Sequence, residues 1–359
     1  MRFRLFRAKT LFVIGAGASY EVDLPVGAEL LQQIVRFLSY EFEWNRPKSG
    51  DIAIFDALKL IFNEGGSVTT LNRHLIAGAR LTKSAQQALS IDNVIDALED
   101  PEVELIGKLG IARSILGAES TSGKFRPNRE DGIELEVKNF SNTWYSSLTK
   151  LLTEGVKRSS VGTIFDNVEI INFNYDRCLE HYLPFSLSNY YDRPLEDMQQ
   201  LLHKLKIHRP YGVVGRLPWM SGLGPTVRFG DSSARSLAAV AQQIRTFTEQ
   251  VEDGTARQSM QAAVRSADRI IFLGFAFHRQ NVELIASEIQ RHTQVIATSF
   301  GISASDRAVI KEELSVALEY STEPHAESRA DLATMTCNDF FNEYWRTLTA
   351  EAKNAVPLL

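Results

Sequence analysis

Cysteine is almost missing from this chain: its 359 residues hold two, Cys178 and Cys337, far apart in sequence. Two such residues build no disulfide framework, and a zinc site made of four cysteines is excluded. Also missing is any run of ~18 apolar residues, the length a membrane-spanning helix needs. A short apolar run, residues 11–18, follows a start in which Arg2, Arg4, Arg7 and Lys9 meet no acid. That start has the look of a secretory signal, but the run is short and Glu21 and Asp23 follow at once, so it is not read as one. A cytoplasmic location, away from membranes, is the expectation. There is no internal repeat or low-complexity tract. A net charge of −5 supplies no general attraction to nucleic acid, and no strong direct binding to it is expected.

What is present is an alternation of strands and helices. Apolar runs at residues 11–14, 168–173, 269–273 and 294–298 read as buried strands, and a shorter one ends at His208. Helical periodicity lies between them. Residues 28–40 place Leu30, Leu31, Ile34, Phe37 and Leu38 on one face, and residues 194–203, 236–251, 281–291 and 304–313 read the same way. The last of these follows a cap at Ser303 or Ser305. The pattern predicts the α/β class, a Rossmann-like, mostly parallel sheet with helices on both faces. About 150 residues separate the first strand from the second, too many for one crossover helix. A large helical insertion is therefore expected. The predicted organisation is residues 1–30 and 161–320 for the sheet domain, 31–160 for the insertion and 321–359 for a C-terminal helical extension. Residues 121–132 are the clearest loop, and Phe340, Phe341, Tyr344, Trp345 and Leu348 mark an amphipathic helix over residues 339–353.

Four constellations carry chemistry. The first strand runs into Gly15-Ala16-Gly17-Ala18-Ser19, a loop whose glycines let the backbone turn tightly and approach a phosphate. Against the dinucleotide fingerprint, Tyr20 stands where a third small residue belongs, and no strand with a terminal acid follows about 20 residues on. Those departures argue against a nicotinamide dehydrogenase; a turn made for packing fits the loop equally well. The second strand ends in Asn172-Phe173-Asn174-Tyr175-Asp176, at the sheet edge where α/β proteins bind ligands. Asn174 suits a ribose hydroxyl or a water, and Asp176 suits orienting either. Their alternative use is to cap a helix beginning near Arg177. His208 closes a short strand before Arg209-Pro210-Tyr211-Gly212 and is placed as a general base, with His203 its rival; the alternative is a turn histidine without a role. The fourth strand ends in Leu273-Gly274-Phe275-Ala276-Phe277, with His278 and Asn281 beyond, and either bounds a nucleotide pocket or is a plain glycine turn.

Taken in order, GAGAS with LPVG, N-x-N-Y-D, I-H-x-P-Y-G and LGFAF with a following Asn resemble the sirtuin-like superfamily, and within it the bacterial branch found in anti-phage defence. The resemblance runs from about residue 11 to about residue 298, and Ser90-Ile91-Asp92 is similar to a further motif of that branch. It implies that Gly15, Ala16, Gly17 and Ser19 cradle the pyrophosphate of NAD and that Pro25 and Gly27 belong to a loop closing over it. It implies Asn174 and His208 as catalytic residues with Asp176 close by, and Gly274, Phe275 and Asn281 near the adenosine half. The sequence departs from the superfamily's His-Gly pair at His208-Arg209-Pro210-Tyr211-Gly212. Deacylating members hold a structural zinc with four cysteines, which this chain cannot build. The activity implied is NAD+ cleavage to nicotinamide and ADP-ribose, with NAD as substrate and no metal. The alternatives are a sensor that binds NAD or ADP-ribose without cleaving it and, against the cysteine count, a deacylase. A homo-oligomer and a HerA-type ATPase partner are further implications of the resemblance.

Overall fold

Each apolar run finds its partner across the fold rather than along the chain. In the computed structural model, which describes residues 6–44, 46–62, 68–127, 134–245, 254–318 and 330–350, six strands form one sheet. They are β1 (Thr10–Ile14), β2 (Val168–Asn172), β3 (Lys206–His208), β4 (Arg269–Leu273), β5 (Gln294–Thr298) and β6 (Ala330–Ala333). Every pairing is parallel. The spatial order is β3-β2-β1-β4-β5-β6, that of the Rossmann dinucleotide-binding fold, so the strand order reverses between β1 and β4.

Side chains alternate across the strands. Leu11, Val13, Ile171, Ile270, Phe272 and Val295 enter one apolar cluster; Phe12, Ile14, Ile170, Ile271, Leu273 and Ile296 enter another on the opposite face. Burial on both faces is why these strands read as unbroken apolar runs rather than alternating ones. The expected α/β architecture with helices on both faces is therefore present.

Between β1 and β2 the chain is mainly helical. A single turn, α1 (Ala16–Ser19), is followed by α2 (Gly27–Leu38), α3 (Ile52–Phe62), α4 (Val68–Ser84), α5 (Ile91–Leu98), α6 (Pro101–Thr121) and α7 (Trp144–Thr153). Ser90 caps α5 by accepting from Asn93 N at 3.2 Å. Asp100 caps α6 through Glu102 N and Val103 N, with Pro101 at the first helical position, where its missing N–H costs nothing. These helices share the apolar clusters of the sheet. Ile34, Leu58 and Ile106 share the cluster of Leu11 and Phe272, while Trp144, Leu148 and Leu152 of α7 share that of Phe12 and Leu273.

After β2 come α8 (Cys178–Tyr191) and α9 (Leu195–Leu202), and after β3 α10 (Ala234–Val240) and α11 (Gly254–Ser266). α12 (Arg279–Ile285) follows β4, and α13 (Ala304–Ala317) follows β5. Ser303, not Ser305, caps α13, accepting from Asp306 N at 3.1 Å. The helix expected over residues 236–251 begins at Ala234 and ends as an α-helix at Val240, with a 3₁₀ turn over Ala241–Gln243; residues 246–251 lie outside the described ones, as do residues 128–132 of the predicted loop. The expected helix over 281–291 is shorter, ending at Ile285. The C-terminal region adds strand β6 to the sheet before α14 (Cys337–Glu343) and α15 (Trp345–Thr349). Four residues, ADLA, are too few to show a period in sequence. Fully buried Arg269 pins α15 by donating from Nη1 to Leu348 O at 2.8 Å. Among the described residues, no helix is long and apolar enough to cross a membrane.

Candidate functional site

The crevice of a Rossmann sheet opens beyond the carboxyl ends of its strands, where the strand order reverses. Here the loops after β1 and β4 meet at that point, backbone against backbone. Gly15 N donates to Leu273 O at 3.0 Å and Gly17 N to Gly274 O at 2.9 Å. Gly274 has φ +55°, and a Cβ on it would lie 2.0 Å from Ala18 N; one on Gly15 would lie 2.7 Å from Gly274 O. These glycines are thus required by close packing of the two loops. Phe277, buried, also has a positive φ of 56°, a conformation that is an outlier for so bulky a residue and concentrates at functional sites.

Beside this interlock the N-x-N-Y-D turn sends two polar groups to the glycine loop. Asn174 Nδ2 donates to Gly15 O at 3.0 Å and to Ser19 Oγ at 2.9 Å. Ser19 in turn donates to Asp176 Oδ2 at 2.7 Å. Gly15 O can only accept, so the amide face toward it must be the NH₂ group. That orientation leaves Asn174 Oδ1 as the outward acceptor, with no hydrogen bond to it among the described residues. Asp176 Oδ1 accepts from Cys178 N at 3.0 Å. The carboxylate therefore meets the first backbone N–H of α8, close to the capping use read from the sequence, and it holds Ser19 as well.

The surroundings are buried and charged. Arg177, fully buried, is met bidentately by Glu119 of α6, and its Nη1 also donates to Val227 O at 2.6 Å. Arg209 pairs with Glu180 of α8, whose Oε2 is buried without a hydrogen bond among the described residues. Three carboxylates, Asp176, Glu180 and Glu119, thus face two guanidiniums. Burial raises the Asp176 carboxyl above its ordinary range, against the lowering effects of the Ser19 hydrogen bond and the Arg209 charge. Burial, then the charge of Asp176, likewise pushes the Cys178 thiol well up, so this cysteine is not a nucleophile at neutral pH.

His208 makes no hydrogen bond to Ser19, Asn174 or Asp176. Its Cα is in register with Ile171, and its ring Nε2 lies 2.7 Å from Glu169 Oε1. The Glu169 carboxyl is held below its ordinary range, chiefly by that hydrogen bond. An Nε2–H donated to Glu169 leaves Nδ1 as the basic atom of the neutral ring.

Other predicted residues gather at the same sheet edge. The Phe275 ring packs on Phe173 at 5.1 Å. The hydroxyl of Tyr211, in the turn after β3, donates to Asn281 Oδ1, and Tyr175 donates to Asp92 Oδ1 at 3.4 Å, which brings the Ser90-Ile91-Asp92 motif to the edge of the crevice. Pro25 is buried and Gly27 exposed; Gly27 opens α2, and a Cβ there would meet nothing within 4 Å. Ala16 is exposed. Glu119, Glu180 and Arg177 were not singled out from sequence, because their pairings join residues far apart in the chain and leave no local pattern. No protein-family model matches this sequence, and no curated protein does.

Proposed function

We propose that this chain is an NAD+ glycohydrolase that breaks the nicotinamide–ribose bond to give nicotinamide and ADP-ribose, and that it acts in anti-phage defence by depleting NAD+. One observation carries the reading. At the reversal point of a Rossmann-ordered sheet, Ser19 of the glycine loop links the Asn174 amide to the Asp176 carboxylate. A dinucleotide in that crevice is what the fold accommodates, and an outward carboxamide oxygen suits a ribose hydroxyl or a water.

Loss of nicotinamide develops oxocarbenium-like charge on the ribose, as in glycoside hydrolysis. A low-dielectric cluster with an excess of carboxylates favours that charge. Asn174 Oδ1 accepts from the attacking water or a ribose hydroxyl and so orients it. Ser19 and Asp176 hold the amide in that orientation. His208, with Nε2 engaged by Glu169, acts as base through Nδ1; a carboxylate that fixes the tautomer and stabilises the imidazolium is the usual support for such a base. Homo-oligomerisation and a HerA-type ATPase partner belong to the proposal through the resemblance.

The test is nicotinamide release from NAD+ by the purified protein, alone and with the product of its genomic neighbour. Asn174→Ala and His208→Ala are each expected to lower the rate about 10²-fold or more. Full activity in both variants overturns the assignment. The bond from His208 to Glu169 rather than to the Asn174 group favours a second reading, a sensor that holds NAD+ or ADP-ribose intact. It predicts saturable binding by calorimetry with no nicotinamide released.

A further inference from the structure

The segment after β3 reaches the crevice through Arg209 rather than through the histidine before it. Arg209 Nη1 donates to Asn174 O and to Asp176 O, each at 2.9 Å. Its Nε donates to Glu180 Oε1 at 3.1 Å, and Nη2 to the same oxygen. The intervening carbonyl, Tyr175 O, accepts from Val214 N at 3.1 Å. All three carbonyls of the Asn174–Asp176 turn are therefore held by the chain that follows β3. The guanidinium is nearly buried, at 12% side-chain exposure, and Glu180 at 4%.

We infer that Arg209 is a positioning residue for Asn174: it fixes the pitch of the turn so that the amide meets Gly15 and Ser19 and Oδ1 faces outward, and Glu180 holds the guanidinium in place. The chemistry calls for arginine in particular. One terminal NH₂ group supplies two hydrogens to two carbonyls while the remaining N–H groups engage the carboxylate. A lysine ammonium is a point donor without that planar fork. The inference rests on the NAD+ cleavage reading for its catalytic consequence, not for the geometry itself.

Two readouts keep those apart. In Arg209→Lys and Arg209→Ala, kcat and kcat/KM for nicotinamide release are expected to fall together, about 10²-fold, as for a misplaced reacting group. Guanidinium ion at low concentration is expected to restore part of the activity of Arg209→Ala, and ammonium is not; a generally disordered protein would show no such rescue. The second readout needs no substrate. In protein labelled with ¹⁵N-asparagine, the Asn174 side-chain amide signal, assigned by its loss in Asn174→Ala, is expected to shift in both Arg209 variants and to return toward its position with guanidinium. An unmoved Asn174 signal in both variants, or full activity in both, overturns the positioning role. Wild-type protein that releases no nicotinamide overturns the NAD+ reading alone, and the amide signal still decides the role of Arg209.

Discussion

At the scale of the residue, Asp176 shows the tension between holding a site and holding a fold. Its carboxylate accepts from Cys178 N at the start of α8 and orders Ser19, yet burial raises it above its ordinary 3.8. A carboxyl whose folded pKa is raised binds more protons in the folded state. Stability is then highest below the unfolded pKa and falls as the pH rises from there through the folded value. Asp176→Asn removes that titration while keeping the shape. The stability of the variant relative to wild type is expected to improve as the pH rises above about 4, the unfolded carboxyl range, while nicotinamide release falls, the usual direction of a stability–activity trade. Urea midpoints at a series of pH values measure it. A difference between the two proteins that is flat across that range would show that the carboxyl titrates alike in both states.

At the scale of the element, the loops after β1 and β4 separate glycines needed by the fold from a glycine that it leaves free. Gly274 has a positive φ, and a Cβ on it would lie against the backbone of Gly17 and Ala18. Gly274→Ala is expected to destabilise the protein by about 2–4 kcal/mol, in the range for a strained and overpacked buried site. Gly27, the first residue of α2, has open space around it. Gly27→Ala is expected to be neutral or to add about 0.5 kcal/mol through helix propensity, while raising KM for NAD+ if that surface closes on the ligand. Urea melts with initial-rate kinetics on both variants give both answers, and a stable Gly274→Ala would contradict the interlock. The same elements show what sequence could reveal. β1, β2, β4 and β5 are buried on two faces, so their runs were plain; β6, four residues long, was not. Gly15, Ser19, Asn174 and Asp176 stand at strand ends and could be placed on one sheet edge by topology. The direction of the His208 ring could not. It follows from the register of β3 against β2, which sets Glu169 and His208 on one face, and register is a property of pairing rather than of either strand. Arg209 and Glu180 are 29 residues apart and Arg177 and Glu119 58, and such contacts appear only once the chain has folded.

At the scale of the whole molecule, the segment between β1 and β2 is joined to the sheet by two kinds of contact. One is apolar, the clusters that mix Ile34, Leu58 and Ile106 with strand residues on one face and Trp144 and Leu148 with them on the other. The second is the Glu119–Arg177 pair, in which an acid of α6 meets the guanidinium that also donates to Val227 O and lies next to Asp176 in sequence. Glu119 also accepts from Gly230 N at 3.0 Å, so α6, the N-x-N-Y-D turn and the chain after β3 converge on one carboxylate. Breaking a buried pair by neutralising one partner leaves the other charge uncompensated and costs about 3–5 kcal/mol. Glu119→Gln is expected to lower stability by about that amount, and to do so for the whole chain at once. Tryptophans report on its separate parts: Trp44 and Trp144 before β2, Trp219 after β3 and Trp345 in α15. If the parts share one core, urea unfolding followed by tryptophan fluorescence and by far-UV circular dichroism coincides in wild type, and both curves move together in Glu119→Gln. An early fluorescence phase that Glu119→Gln shifts while the main transition stays in place would show instead that residues 31–160 unfold on their own, and that the crevice can open without the sheet coming apart.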